Sequence, residues 1–264
     1  MKPILLVTRR LPQEIEARAA RDYDVVLNPQ DRPDSTAGLV QMAGDFDAYL
    51  VCLTDKFPRD AIEALPDRLR VISTFSVGTD HIDLEAARER GLAVGNAPNG
   101  VTVATAEIAM LLILGASRRA PEGERMLAAR EWTGWKPMEL LGRRLDGKRL
   151  GLLGFGKIGQ AVARRARAFD MEIHYHARCR RPAETAQGAI YHASLDDLLR
   201  VSDVLSIHAP SSPDTRNIVN ARALALLPAG AIVINTARGD LVADDDLIEA
   251  LQSGRIAYAG LDVY

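Results

Sequence analysis

The sequence has 264 residues, and its 33 basic and 35 acidic side chains give a formal net charge of −2. Hydrophobic residues make up 47% and charged residues 26%, a composition typical of globular proteins that excludes disordered and fibrous classes. The balanced charge excludes the basic surface expected of a protein that binds nucleic acid or an anionic membrane. At roughly 150 residues per domain, the length indicates one large domain or two modest ones.

Hydropathy and cysteine content bear on the cellular compartment. The longest apolar run, residues 108–116, is far shorter than the ~20 residues of a membrane-spanning helix. Two cysteines, Cys52 and Cys179, are too few for a disulfide framework. We therefore expect a cytoplasmic protein with neither membrane nor nucleic acid as a partner.

In the first third of the chain, short apolar runs alternate with helical patterns. The predicted strands are residues 4–8, 24–27, 48–53, 69–74 and 92–95. The predicted helices are residues 12–20, 36–43, 58–65 and 84–90. This alternation is typical of a parallel sheet with helices on its faces. The turn-rich sequence Asn-Ala-Pro-Asn-Gly at 96–100 then breaks the pattern, so we place a domain boundary near residue 98.

A second alternating pattern fills the rest of the chain. It begins with a helix at 102–118 that is apolar on nearly every face, which indicates burial between domains or subunits. The predicted strands that follow are residues 149–153, 172–176, 189–191, 203–208, 231–235 and 257–262. The sequence thus predicts an α/β protein of two doubly wound parallel-sheet domains, residues 1–98 and 99–264.

The most specific local motif is Gly154-x-Gly156-x-x-Gly159, between an apolar strand and a helix predicted at 160–169. In this setting the first glycine permits a tight turn, the second lets the backbone approach a pyrophosphate, and the third allows close helix–strand packing. The motif predicts a dinucleotide site, and a glycine-rich turn without a ligand is the alternative. A nucleotide-triphosphate P-loop is excluded because Ile158 follows Lys157 where Ser or Thr is required.

The end of the next strand predicts which dinucleotide binds. A site selective for NAD has an acidic residue about 20 residues beyond the glycines, to bind the ribose 2′-hydroxyl. Here Ala177 lies 177 − 159 = 18 residues beyond Gly159, and the residues after it include Arg178, Arg180 and Arg181. Because arginine pairs with a 2′-phosphate, we expect NADP(H) to be preferred and NAD(H) to be possible. The alternative is that these arginines only form a solvated turn.

Two further loops follow predicted strands and suit binding of an anionic substrate. Arg238 comes after strand 231–235, at the end of a parallel sheet where ligands bind, and its guanidinium can hold a carboxylate and polarise a carbonyl. It could instead pair with Asp240 or Asp244. Val77 and Gly78 form a turn whose backbone amides can bind an anion, although an ordinary turn fits the sequence equally well.

These motifs resemble the D-isomer-specific 2-hydroxyacid dehydrogenases, and within them the glyoxylate/hydroxypyruvate reductases. The resemblance covers essentially the whole chain. It rests on residues 76–83, 104–107, 132–135, 154–159, 234–239 and 259–263. It implies a flavodoxin-like substrate domain and a Rossmann domain for NAD(P). It also implies a homodimer formed through the helices near 102–130.

The resemblance assigns roles to individual residues. Arg238 matches the catalytic arginine, which also binds the substrate, and Val77 and Gly78 match the amides that hold its carboxylate. The residues matching cofactor contacts are Thr105, Gly154, Phe155, Gly156, Lys157, Ile158, Gly159, Ala177, Arg178, Cys179, Arg180, Pro210, Thr236, Ala237, Arg238 and Asp262. No metal site is expected. The implied reaction is hydride transfer from NADPH to glyoxylate or hydroxypyruvate, giving the D-2-hydroxy acid.

The sequence departs from the family pattern at its end. The family has a glutamate shortly after the motif that ends here at Tyr264, and then a histidine in a Pro-His-x-Gly setting. None of the five histidines of this sequence lies in such a setting, and we expect all of them to be structural. We therefore expect the segment that completes the first domain, and the last strand of the second, to be absent from these 264 residues.

Other functions fit the sequence less well. A short-chain dehydrogenase requires a Tyr-x-x-x-Lys pair, which the sequence lacks. Formate, phosphite and other D-2-hydroxyacid dehydrogenases share the same scaffold and stay open as alternatives. A protein of a different class, a dinucleotide-sensing interaction protein similar to corepressors of this family, is a further alternative based on analogy of fold alone.

Overall fold

Both sheets of the protein are wholly parallel, as the sequence predicts. The computed structural model describes residues 1–264, which divide into two units, Met1–Val101 and Thr102–Tyr264. The sequence predicts this boundary near residue 98. None of the helices combines the length and the apolar character that crossing a membrane requires.

The first unit contains five strands and four helices. The strands are β1 (Ile4–Val7), β2 (Asp24–Val26), β3 (Ala48–Val51), β4 (Val71–Thr74) and β5 (Ala93–Gly95). The helices are α1 (Gln13–Asp22), α2 (Thr36–Met42), α3 (Arg59–Ala64) and α4 (Leu84–Glu89). The strand order β2-β1-β3-β4-β5 is the flavodoxin-like order, so the predicted fold of this domain is confirmed.

The helices of this unit begin where the sequence supplies a capping side chain or a proline. The side chain of Ser35 accepts a hydrogen bond from the backbone N–H of Gly38 at 3.1 Å, and that of Asp83 accepts one from Ala86 at 2.9 Å. Between α2 and the sheet, the buried ring of Tyr49 donates its hydroxyl to the Leu39 carbonyl at 2.8 Å. Burial also raises the pKa of Tyr49, so this core residue stays neutral.

One face of the first sheet is only partly covered. A groove of about 890 Å³ lies along it, lined by residues that include Leu50, Val71 and Ser73. The segment expected to complete this domain stays a prediction.

The second unit contains six strands and seven α-helices. Its strands are β6 (Arg149–Leu153), β7 (Glu172–His176), β8 (Ile190–Tyr191), β9 (Val204–Ile207), β10 (Ala231–Asn235) and β11 (Ile256–Leu261). Its helices are α5 (Thr102–Ser117), α6 (Ala120–Ala128), α7 (Lys157–Ala166), α8 (Ala183–Ala186), α9 (Leu195–Val201), α10 (Ala221–Leu226) and α11 (Asp244–Gln252). The order β11-β10-β9-β6-β7-β8 is that of a Rossmann fold, as predicted. The expectation of a further strand stays a prediction.

Helix α5 packs closely against β11 of the second sheet at a glycine. A Cβ atom added to Gly260 on β11 would lie 2.9 Å from the Leu112 side chain, so glycine allows this close approach. Ala106, Ala109 and Ile113 are buried, whereas Leu111 is 62% exposed. Within this unit the helix therefore buries one face and leaves an apolar face open.

One local prediction in this unit is wrong. Helix α7 begins at Lys157, not at residue 160, because Gly156 is its extended N-cap and the third glycine of the motif already lies inside the helix. Helix α11 has Ala243 as its N-cap, and Asp244 and Asp245 lie in its first turn, where their carboxylates interact favourably with the positive end of the helix dipole.

Candidate active site

The glycine motif forms a cradle whose shape depends on two of its three glycines. Gly154 has φ +95°, and a Cβ atom there would lie 2.7 Å from the backbone of His208 and Ala209. A Cβ atom on Gly159 would lie 2.5 Å from the Gly154 carbonyl. At Gly156, by contrast, an added Cβ meets nothing within 4 Å. The loop is thus packed behind Gly154 and Gly159 and open in front of Gly156, as close approach of a pyrophosphate requires.

Helix α7 points its N-terminus into this cradle. Its first intrahelical hydrogen bond runs from Gln160 N to the Gly156 carbonyl at 3.0 Å, so the earlier N–H groups have no intrahelical acceptor. The first turn contains no acidic residue and begins with Lys157. These donors and the positive helix end fit the pyrophosphate of a dinucleotide.

The arginine-rich loop after β7 is tied to the cradle through one of its arginines. The Nε of Arg181 donates to the Phe155 carbonyl at 3.3 Å, and the Arg181 backbone N–H donates to the hydroxyl of Tyr175 at 2.9 Å. Arg178, Cys179 and Arg180 are exposed. Residues 177–181 contain no carboxylate that would repel a 2′-phosphate.

The loop that presents Arg238 is held by the buried side chain of Asn235, at the end of β10. Asn235 Oδ1 accepts a hydrogen bond from Ala237 N at 3.0 Å, and Nδ2 donates to the Arg238 carbonyl at 2.8 Å. Arg238 has extended backbone, and its Nη1 donates to the Ala237 carbonyl at 2.8 Å. The sequence pattern alone assigns no role to Asn235, although a polar residue that closes an otherwise apolar strand is a signal for one.

His208 connects the ends of β9 and β10 in the same unit. Its Nε2 lies 2.9 Å from Ser206 Oγ, and its Nδ1 lies 3.4 Å from the hydroxyl of Thr236. Burial lowers the pKa of His208 to about 4, so the ring is neutral at pH 7. A neutral ring that makes contacts to the ends of two strands agrees with the structural role expected of this histidine.

Protonation of His208 is expected to destabilise the protein in acid. The unfolded chain binds this proton below its ordinary pKa of 6.5, whereas the folded protein binds it only near pH 4. The stabilisation is therefore complete above pH 6.5 and is lost as the pH falls towards 4, by about 2 kcal/mol at pH 4.5. Urea unfolding at pH 7 and pH 4.5 measures it. The loss should be about 2 kcal/mol smaller in His208→Gln, and equal losses would contradict the assignment.

The Val77–Gly78 turn belongs to the first unit, where a hydrogen-bond network fixes its carbonyls. The Ser76 carbonyl accepts from Ala97 N at 2.8 Å, and the Val77 carbonyl accepts from Asn96 Nδ2 at 2.7 Å. In a trans peptide the N–H points opposite to the carbonyl of the same plane. The N–H groups of Val77 and Gly78 are therefore directed away from the 96–97 segment.

His81 is connected to this turn by a network of hydrogen bonds. Its Nε2 lies 2.9 Å from Thr74 Oγ1, which lies 2.7 Å from Ser76 Oγ. Ser76 Oγ in turn donates to the Gly78 carbonyl at 2.7 Å. This buried network gives His81 a positioning role in the first unit.

The other predicted cofactor residues of the second unit lie mainly where strands end. Pro210 follows β9, Thr236 and Ala237 follow β10, and Asp262 follows β11 and donates its N–H to the Asn235 carbonyl at 2.9 Å. Thr105 lies near the start of α5 and is half-buried. The carboxyl ends of parallel strands share one sheet edge, which is where such folds bind dinucleotides.

Comparison with known proteins identifies the family. Residues 110–264 match the model of the D-isomer specific 2-hydroxyacid dehydrogenase NAD binding domain, which is more than half of the chain. The chain belongs to this dehydrogenase family. It is 49% identical to a glycerate dehydrogenase of Hyphomicrobium methylovorum, over 100% of this chain and 82% of that protein. The family that the sequence motifs predict is thereby confirmed.

Solved structures agree with this D-2-hydroxyacid dehydrogenase assignment. A glyoxylate reductase from Paecilomyes thermophila superposes with a TM-score of 0.89 at 35% identity, covering 100% of this chain and 82% of that one. An acyclic imino acid reductase in complex with NADPH and D-Arg gives 0.89 at 25% identity, covering 98% and 82%. As a D-2-hydroxyacid dehydrogenase, the protein is an oxidoreductase that uses a nicotinamide cofactor.

Proposed function

We propose that this protein reduces a small 2-oxo acid, such as glyoxylate or hydroxypyruvate, to the D-2-hydroxy acid with NADPH. The observation that carries the proposal is the Asn235-bound loop, which places Arg238 at the same sheet edge as the glycine cradle. The names of two relatives, glycerate dehydrogenase and glyoxylate reductase, support a substrate of this size for this protein. When bound, the nicotinamide supplies the hydride.

The residues of the chain act on the acid and its carbonyl. The guanidinium of Arg238 binds the carboxylate and stabilises the negative charge that develops on the carbonyl oxygen as hydride reaches the carbon. The N–H groups of Val77 and Gly78 bind the carboxylate and orient it. The product oxygen then takes a proton from a general acid. We give that role to neither His81 nor His208, since both rings are engaged in structural contacts.

The preference for NADP(H) rests on charge at the end of β7. Ala177 stands where a site for NAD has an acidic residue, and the arginines that follow provide cations for a 2′-phosphate. Binding of NAD(H) stays possible because the glycine cradle is common to both cofactors.

Oxidation of NADPH and NADH, followed at 340 nm with glyoxylate, hydroxypyruvate and pyruvate, tests this function. We expect turnover with the 2-oxo acids and a higher kcat/KM for NADPH. Reduction of NADP⁺ by formate or phosphite, with no activity on 2-oxo acids, would replace the proposal by another dehydrogenase activity. Tight cofactor binding with no turnover of any acid would favour the sensing function.

We also propose that the protein is a homodimer formed through the 102–141 segment, which exposes a set of large apolar side chains. These are Val103, Leu111, Leu127, Trp132, Trp135, Met138 and Leu141. Trp135 alone is 82% exposed. Such a concentration is unusual for a surface that faces only water and is typical of an interface.

Replacing Leu111 by aspartate should shift the protein from dimer to monomer, because it buries a charge at the proposed interface. Light scattering after size exclusion should give twice 28.7 kDa for the wild type and 28.7 kDa for Leu111→Asp. Leu84→Asp is the matched control, since Leu84 is a 48% exposed leucine of the first unit. A monomeric wild type would contradict the proposal.

A further inference from the structure

Three aromatic rings connect the glycine cradle to the strands beside it. The rings of Phe155 and Tyr175 stack with centroids 4.1 Å apart and planes inclined by 21°, and both are buried. The ring of Tyr191 also packs against Tyr175, with centroids 5.3 Å apart and planes inclined by 50°. Tyr175, on β7, thus contacts both a ring of the cradle and a ring of the short strand β8.

The hydroxyl of Tyr175 reaches the arginine-rich loop. It accepts the backbone N–H of Arg181 at 2.9 Å, six residues further along the chain. The Arg181 guanidinium then extends back and donates from Nε to the Phe155 carbonyl at 3.3 Å. All three arginines of this loop are exposed, and Arg181 is the one whose side chain makes a hydrogen bond to the cradle.

We propose that Tyr175 is a positioning residue for cofactor selectivity: its hydroxyl holds Arg181 where the guanidinium receives the 2′-phosphate of NADPH. An arginine side chain loses much rotamer freedom on binding, so an arginine fixed in advance binds an anion more tightly. Binding through Nε to Phe155 leaves the terminal nitrogens to face a phosphate. This inference rests on the proposed preference for NADPH.

Tyr175→Phe isolates the hydroxyl, because the phenyl ring preserves the stack on Phe155. Arg181 is an exposed residue, so water can replace the lost hydroxyl and the fold is retained, but the loop loses its anchor. Dissociation constants for NADPH and NADH are measured by calorimetry, which requires no turnover. We expect about fivefold weaker NADPH binding and an NADH constant within about twofold of wild type. Arg181→Ala should weaken NADPH binding about tenfold or more.

The double variant Tyr175→Phe/Arg181→Ala decides whether Tyr175 acts through Arg181. If it does, the double variant has the NADPH:NADH affinity ratio of Arg181→Ala alone. Tyr49→Phe is the matched control, since it removes a buried tyrosine hydroxyl that binds the Leu39 carbonyl in the first unit. Its affinity ratio should equal that of the wild type.

Two results would overturn the inference while leaving the NADPH preference intact. One is equal weakening of NADPH and NADH binding by Tyr175→Phe, which indicates a merely structural role. The other is additive losses in the double variant. A wild-type protein that binds NADH more tightly than NADPH would overturn both the proposed preference and the role of Tyr175.

Discussion

Replacing Arg238 by glutamine is expected to lower kcat/KM for the 2-oxo acid by about a thousandfold, or ~4 kcal/mol of transition-state stabilisation. Glutamine keeps a hydrogen-bond donor but lacks the charge and the paired N–H groups that bind a carboxylate. The Asn235 contacts to the loop backbone do not involve the Arg238 side chain, so the loop should keep its conformation. NADPH oxidation with glyoxylate measures kcat/KM, and calorimetry with oxalate measures binding of the acid.

Two further arginine variants make this result specific. Arg238→Lys should recover only part of the activity, because an ammonium group does not reproduce the planar fork of the guanidinium. Arg216→Gln is the matched control, since Arg216 is 70% exposed on a neighbouring loop and lies 3.8 Å from Asp240. Arg216→Gln should have wild-type kcat/KM. Near-normal activity in Arg238→Gln would remove Arg238 from the mechanism.

The glycine cradle predicts opposite outcomes for two alanine variants only two residues apart. Gly154→Ala should destabilise the fold by about 3 kcal/mol, because it places a Cβ atom 2.7 Å from backbone atoms at φ +95°. Gly156→Ala should leave stability within about 0.5 kcal/mol of wild type, since its Cβ meets nothing within 4 Å. It should nevertheless weaken NADPH binding at least tenfold, because the methyl group occupies the space that the pyrophosphate needs.

Urea unfolding and NADPH titration on both variants separate these effects. Gly188→Ala provides a control for backbone strain alone, since Gly188 has φ +82° but its Cβ would meet nothing within 4 Å. It should lose less stability than Gly154→Ala and keep wild-type NADPH affinity. Unchanged cofactor affinity in Gly156→Ala would show that the cradle is not the pyrophosphate site.

Features that depend on residues close together in the sequence can be predicted from the sequence alone. The strands 149–153, 172–176 and 231–235 have the bounds predicted from their apolar runs, since burial of a parallel strand on both faces requires such a run. The glycine motif was identified by its spacing, and the structure explains it by contacts of Gly154 and Gly159. The sequence predicts the start of α7 three residues too late, because Gly159, which belongs to the turn motif, lies inside the first helical turn.

Contacts between residues that are far apart in the sequence cannot be predicted in this way. The role of Asn235 depends on the conformation of the loop after β10, and that of Tyr175 depends on a ring stack with a residue 20 positions earlier. The support of the Val77–Gly78 turn by Asn96 joins the ends of β4 and β5. No local pattern marks Tyr175 or Asn96 as anything other than an ordinary core or polar residue.

The sequence by itself determined two α/β domains, the dinucleotide cradle, the arginines after β7 and the family, because these follow from periodicity and short-range motifs. Only the tertiary structure decided which side chains hold those loops in place. Three side chains make hydrogen bonds to backbone groups of these loops: Asn235 to the Arg238 carbonyl, Asn96 to the Val77 carbonyl and Tyr175 to the Arg181 N–H. Each bond satisfies a backbone polar group and restricts the conformation of its loop. Such pairings exist only once the strands are aligned in the sheet, and this alignment places their ends within hydrogen-bond distance of the loops they position.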